Sequence, residues 1–309
     1  MSATEATTEW YTEVAPSGIE IRYRAKPRGY EIRGKDQCRD CLVNDGLNDI
    51  EAPYLSYCSL CEVTEWSEVP SVTTVLGVLD KPALPWWGMK VGVEGVKELY
   101  EQHKVDCTRL STEAAIEALT NHKLTVNHQR DKAGDRGSRV HAAFEEWAKT
   151  ERVPNPDDFS DEDRGYVKGL VKFLEEVQPR PRACEVLVGS LEHGYAGRYD
   201  LRALLERERK VVYKRTPKRG DHFARIAPGN LLVDLKTSKS VYPSHSLQLE
   251  AYEQASVECG YPPTDARGIL QVSDDGGYQF VRSVADFQDF ANVLAVYNSL
   301  EAMKGRKQK

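Results

Sequence analysis

Leu231-Leu232-Val233-Asp234-Leu235-Lys236 is an apolar run that ends in an acid and a base. A β-strand turns successive side chains to opposite faces, so Asp234 and Lys236 share one side while Val233 and Leu235 take the other. Charge set into such a strand is costly unless it is paired or bound to a metal. A second acid occupies a strand-like stretch upstream, Gly197-Arg198-Tyr199-Asp200. Two carboxylates and a lysine on neighbouring strands can hold a divalent cation and polarise a phosphate.

Outward from this pair the order of elements is readable. Strands are expected near 184–191, 196–205 and 230–236, followed by a helix over about 244–259 with apolar spacing at Leu247, Ala251, Tyr252 and Ala255. Strands near 267–273 and 278–283 flank Asp274-Asp275-Gly276-Gly277, a hairpin turn signal. A last helix carries Phe287, Phe290, Leu294 and Tyr297. Upstream, helices are expected through Val140–Trp147, after a glycine-rich start at Gly134 and Gly137, and over 161–177. The string is α-β-β-β-α-β with additions, which predicts a mixed α/β (α+β) fold, a mixed sheet flanked by helices.

The N-terminal third reads differently. Gly18–Arg24 and Tyr30–Arg33 alternate as β-hairpin material. Cys38-x-x-Cys41 and Cys58-x-x-Cys61 follow, separated by 16 residues. In an intracellular protein that spacing reads as a tetrathiolate zinc site, with disulfides, unrelated buried cysteines or an iron–sulfur cluster as the alternatives. Ser71 and Ser111 are N-cap candidates for helices, and Pro85-Trp86-Trp87 opens another that runs towards Lys104. The division expected is a β-hairpin module with the zinc site over 1–70, a helical region over 71–133 and a catalytic core over 134–309.

Bulk properties set limits. The chain has 309 residues and a net charge of −6, so contact with nucleic acid must come from local basic patches. No apolar run approaches the roughly 18 residues of a membrane helix. The polar, acidic start lacks the apolar stretch of a signal peptide. A soluble, cytoplasmic protein with no membrane partner is expected, in a bacterium or a phage-infected host.

The pieces Gly137-Ser138-Arg139-Val140-His141, Gly194-Tyr195-Ala196-Gly197-Arg198-Tyr199-Asp200, Asp234-Leu235-Lys236-Thr237 and Gln248-Leu249-Glu250-Ala251-Tyr252 occur in that order. Together they resemble the PD-(D/E)XK nuclease superfamily, in its RecB-like exonuclease branch, which includes CRISPR-associated and bacteriophage enzymes. The resemblance spans about 135–285. It implies a restriction-endonuclease-like αβββαβ core, with the zinc-ribbon-like module and the helical region as additions. It implies a magnesium or manganese ion held by His141, Asp200, Asp234 and the Leu235 backbone carbonyl. Lys236 would position or deprotonate the attacking water and contact the phosphate. Gln248 would steady the catalytic strand, Tyr252 would touch DNA or the lysine, and Glu185 would support the site. Oxygen-rich ligand sets suit these hard ions whatever the family.

The activity so implied is metal-dependent hydrolysis of DNA. An exonuclease in replication, recombination or repair is favoured, working on linear single- or double-stranded DNA with a recombination or replication protein as a further partner. The alternatives are a structure- or site-specific endonuclease and an inactive DNA-binding module. On this reading Asp234→Ala and Lys236→Ala abolish cleavage and leave the fold intact. The segment 207–219 holds seven basic residues against one acid, and Lys210, Lys214, Arg215, Lys218 and Arg219 are candidates for phosphate contact, though a solvated loop explains them equally. With no cysteine after Cys259, an iron–sulfur cluster of the kind some RecB-like exonucleases carry is not expected.

Overall fold

The computed structural model describes residues 10–25, 28–36, 62–63, 65–216 and 220–305. The four cysteines of the expected zinc site, Cys38, Cys41, Cys58 and Cys61, lie outside the described residues, as do Lys218 and Arg219. The chain divides into two compact units, one of Met1–Val78 with Ala143–Lys309, the other Leu79–Ala142.

Short strands open the first unit. β1 (Tyr11–Val14), β2 (Glu20–Ala25) and β3 (Arg28–Arg33) follow in succession, then β4 (Lys35–Asp36), β5 (Glu62–Val63) and β6 (Ser67–Val69). β1, β2, β3 and β6 form an antiparallel sheet in that order, and β4 pairs with β5. The alternation at Ile19, Ile21, Tyr30 and Ile32 is why: all four side chains are buried. Ser71 caps the short α1 (Val72–Val75), its hydroxyl accepting from the Thr74 N–H at 3.0 Å.

The second unit contains α2 (Ala83–His103), α3 (Thr112–Asn121) and the first part of α4 (Val126–Thr150). Ser111 caps α3 as expected, accepting from the Ala114 N–H at 3.2 Å. Gly134 and Gly137, expected at a helix start, instead lie inside α4, which begins at Val126. The sequence does not announce this earlier start because the first three turns, from Val126 to Gly137, are polar and carry no apolar stripe.

The first unit then resumes. α5 (Asp161–Val177) leads into β7 (Arg180–Ser190) and β8 (Tyr195–Leu205), then the hairpin of β9 (Arg209–Lys214) and β10 (His222–Ile226). β11 (Gly229–Lys236), α6 (Pro243–Glu258), β12 (Ala266–Val272), β13 (Tyr278–Arg282) and α7 (Phe287–Gly305) complete it. The five-stranded sheet runs β13-β12-β11-β8-β7, with β11 parallel to β12 and the other neighbours antiparallel. α6 makes the crossover between the two parallel strands, a connection that antiparallel hairpins do not need. β11 is buried from Leu231 to Leu235, matching its unbroken apolar run. The fold is therefore mixed α/β, with a mixed sheet and separate antiparallel sheets.

α5 buries Tyr166, Val167, Leu170, Phe173, Leu174 and Val177, the stripe of an amphipathic helix. Two glycines on it, Gly165 and Gly169, permit close approach to the β12–β13 turn. A Cβ at Gly169 would overlap the Gly277 carbonyl oxygen, and one at Gly165 that of Asp274. Gly169→Ala is thus expected to destabilise the protein by about 1–3 kcal/mol, the range for overpacking. Gly134→Ala, where a Cβ meets nothing within 4 Å, should instead be neutral or stabilising. Urea unfolding of the two variants checks the contrast.

The N-terminal strands group with this sheet through specific bonds. The Leu187 N–H donates to Glu13 Oε2 at 3.0 Å, the Ser17 N–H to the Cys259 carbonyl at 2.9 Å, and the Ala196 N–H to the Pro70 carbonyl at 3.1 Å.

Candidate active site

Asp234 and Lys236 lie near the end of β11, past its last pair with β8 but still paired with β12. Asp234 is 1% exposed. The Lys236 ammonium donates to its Oδ1 at 2.8 Å and lies 2.7 Å from Oδ2. That second approach is ionic only, because Oδ2 is buried and accepts no aligned hydrogen bond. Burial pushes the Asp234 carboxyl above its usual range; Lys236 opposes the shift and Asp200 adds to it. Burial opposes the charge on Lys236, but Asp234 and Asp200 outweigh it and hold the ammonium above its ordinary range.

Register brings the acids together. The β8–β11 ladder ends at Val233↔Leu201, and one further step sets Asp234 opposite Asp200. The ladder closes there through a side chain: the Leu235 N–H donates to Asp200 Oδ2 at 2.6 Å. In the β7–β8 ladder the pairs Cys184↔Leu201 and Val186↔Tyr199 flank Glu185, which stands opposite Asp200. Glu185, Asp200 and Asp234 thus form one row across three adjacent strands.

Glu185 is in the left-handed region at φ 53, which costs a residue with a Cβ about 1–2 kcal/mol. The pairing of β7 skips it, as it also skips Arg182 at the register shift between Pro181 and Ala183. The Glu185 Oε2 forms an ion pair with Arg198, 2.9 Å from Nε. One ligand atom each from His141, Glu185 and Asp200 lies within 4.8 Å of the others. His141 is on α4. The grouping holds two of the expected ligands, His141 and Asp200, and brings in Glu185, for which the sequence suggested only a supporting place. Asp234 is outside it, with its carboxylate turned to Lys236.

α6 supplies the flank. Gln248 Nε2 donates to Tyr252 Oη at 2.9 Å, one helical turn away. Tyr252, expected to touch DNA or the lysine, is 4% exposed. Burial first, and then Asp234, hold its hydroxyl far above the usual tyrosine range. The glycine of the Gly197-Arg198-Tyr199-Asp200 stretch makes room for this ring: a Cβ at Gly197 would lie 2.5 Å from Tyr252 Cε1.

His245, in the first turn of α6, belongs to none of the motifs read from the sequence. Its Nδ1 accepts from the Tyr242 N–H at 3.3 Å. Burial, reinforced by the nearby Lys236 charge, depresses its pKa to about 4, so the imidazole is neutral at pH 7. Only the three-residue offset from Gln248 could have signalled it.

The basic residues divide. Arg215 forks onto Asp275 at 2.7 and 2.8 Å, and its Nη1 also donates to Ser273 Oγ at 2.7 Å. These bonds, with Arg215 the largest cause, hold the Asp275 carboxyl well below the usual carboxylate range. Arg215 therefore clamps the end of β9 to the β12–β13 turn, a structural use that its place in a basic run did not show. Lys210 lies 3.8 Å from the centroid of the Phe223 ring, and Lys214 is exposed.

No protein-family model matches the sequence, and no curated protein matches it.

Proposed function

We propose that this protein is a divalent-metal-dependent DNA nuclease, and that it works as an exonuclease in replication, recombination or repair. One observation carries the reading: Glu185, Asp200 and Asp234 stand in one row across β7, β8 and β11, with the Lys236 ammonium bonded to the last of them. Three carboxylates so close repel one another, and a cation set among them offsets that repulsion.

The donor set suits magnesium or manganese, since carboxylate oxygens dominate and one imidazole is present. Buried Oδ2 of Asp234, with no aligned hydrogen bond, is a further donor. His141, Glu185 and Asp200 would hold the ion, joined by Asp234 and the Leu235 carbonyl as the family resemblance implies. When bound, such an ion activates a water and offsets charge developing on the phosphate. Asp234 keeps Lys236 protonated and fixed, so its ammonium can meet a phosphate oxygen as a point charge. The Leu235 N–H holds one oxygen of Asp200 and so orients the carboxylate.

End-labelled linear DNA, single- and double-stranded, and closed circles incubated with magnesium or manganese test the proposal. Loss of linear DNA with circles spared is the expected result. Chelation by EDTA should stop cleavage, and added metal should restore it. Nicked circles would assign an endonuclease instead. Binding without cleavage at any metal concentration would leave an inactive module and refute the reading.

A further inference from the structure

A basic site lies at the far end of the same strands. Trp147, the loop after α5 and the start of β9 line an open pocket of about 460 Å³. Gln178, the left-handed residue that ends α5 at φ 49, is its hub. The Gln178 Oε1 accepts from Arg209 Nη2 at 2.6 Å and from Arg207 Nη2 at 3.2 Å. An amide oxygen has two lone pairs, so those two bonds exhaust it, whereas each guanidinium carries five N–H donors. The Arg209 Nε is buried and has no hydrogen-bond partner. Burial and the neighbouring Arg207 charge both lower the Arg209 pKa.

The surrounding charges do not settle this excess. Arg180, the third arginine, spends its charge on Glu206 at 2.9 Å, and Glu151 is the other acid of the lining. The C-terminus of α5 adds about half a negative charge. Arg207 and Arg209 still share one neutral oxygen while a buried donor goes unused.

We propose that this pocket binds a phosphate group. Guanidinium forks match the paired oxygens of phosphate, and a tetrahedral oxyanion can serve Arg207 and Arg209 together. The phosphate can belong to a DNA backbone or to a free phosphate ion. The DNA source rests on the nuclease reading, and the phosphate chemistry does not. Distance favours DNA. Arg180 pairs with Leu204, four residues along β8 from Asp200, which is about 13 Å at ~3.3 Å per residue. A strand with a phosphate every ~3.4 Å along its axis reaches both places.

Binding is measured on the full chain in EDTA, where nothing is cleaved, so failure of the nuclease reading does not affect the result. The probes are a fluorescein-labelled single-stranded oligonucleotide, followed by anisotropy, and inorganic phosphate, followed by calorimetry. Arg207→Gln and Arg209→Gln are each expected to weaken oligonucleotide binding about tenfold. The logarithmic salt slope should fall by about 0.7 for each arginine–phosphate pair removed. Loss of inorganic phosphate binding with oligonucleotide affinity intact would assign the pocket to the free ion. Unchanged affinity for both probes overturns the proposal, whether melting is preserved or lowered; lowered melting would show arginines that only cap α5. Should Arg209→Gln not fold, Arg207→Gln decides alone, because Arg207 is exposed and its removal strands no buried charge.

Discussion

Asp234→Ala is expected to slow cleavage by about 10²–10⁴-fold and to lower stability as well. The stability loss revises the expectation, drawn from sequence, that this variant would leave the fold intact. Asp234 is 1% exposed and is the carboxylate that answers the Lys236 ammonium at 2.8 Å. Removing one member of a fully buried ion pair costs about 3–5 kcal/mol. The Lys236 side chain is 21% exposed, so water recovers part of that, and about 1–3 kcal/mol is the expected loss. Adding Lys236→Met removes the stranded charge and should restore much of the stability but none of the activity. Chemical denaturation of the two single variants and the double variant, alongside cleavage rates, checks this. Additive stability losses would mean that the pair is not coupled.

The second large effect is expected at Glu185, with stability and activity moving apart. Glu185 holds a left-handed backbone at φ 53 in the middle of β7. Glycine adopts that conformation freely, so Glu185→Gly relieves about 1–2 kcal/mol of strain and gives back roughly 0.5–1 kcal/mol in lost chain entropy. The variant should be at least as stable as the parent, although it loses the 2.9 Å pair with Arg198. It should nonetheless cleave about 10²-fold more slowly, because a carboxylate opposite Asp200 is gone. Strain held at a residue that the site needs is the pattern expected of function rather than of packing. Marked destabilisation with normal cleavage would reassign Glu185 to a purely structural pairing with Arg198.

Much of this architecture was legible because its signals are local. The apolar run of β11, the turn Asp274-Asp275-Gly276-Gly277 and the stripe of α5 each fix an element within a few residues, and Ser71 and Ser111 cap the helices where expected. The site was legible in part. Alternation alone puts Asp234 and Lys236 on one side of β11, and the 2.8 Å bond is the outcome. What sequence could not give depends on register. Nothing local says that Glu185 falls opposite Asp200, or that its backbone turns left-handed to do so. Nor does a basic run reveal that Arg215 is committed to Asp275 while Arg207 and Arg209 converge on Gln178. α4 begins earlier than its apolar pattern, because its first turns have no buried stripe to announce them.

The central claim is that one divalent cation sits among these acids, and locating manganese tests it most directly. Anomalous diffraction from crystals grown with manganese should show a peak about 2.0–2.3 Å from oxygens of Glu185 and Asp200 and a nitrogen of His141. Asp200→Asn should weaken or abolish that peak. A peak elsewhere, or none at saturating manganese, would contradict the account.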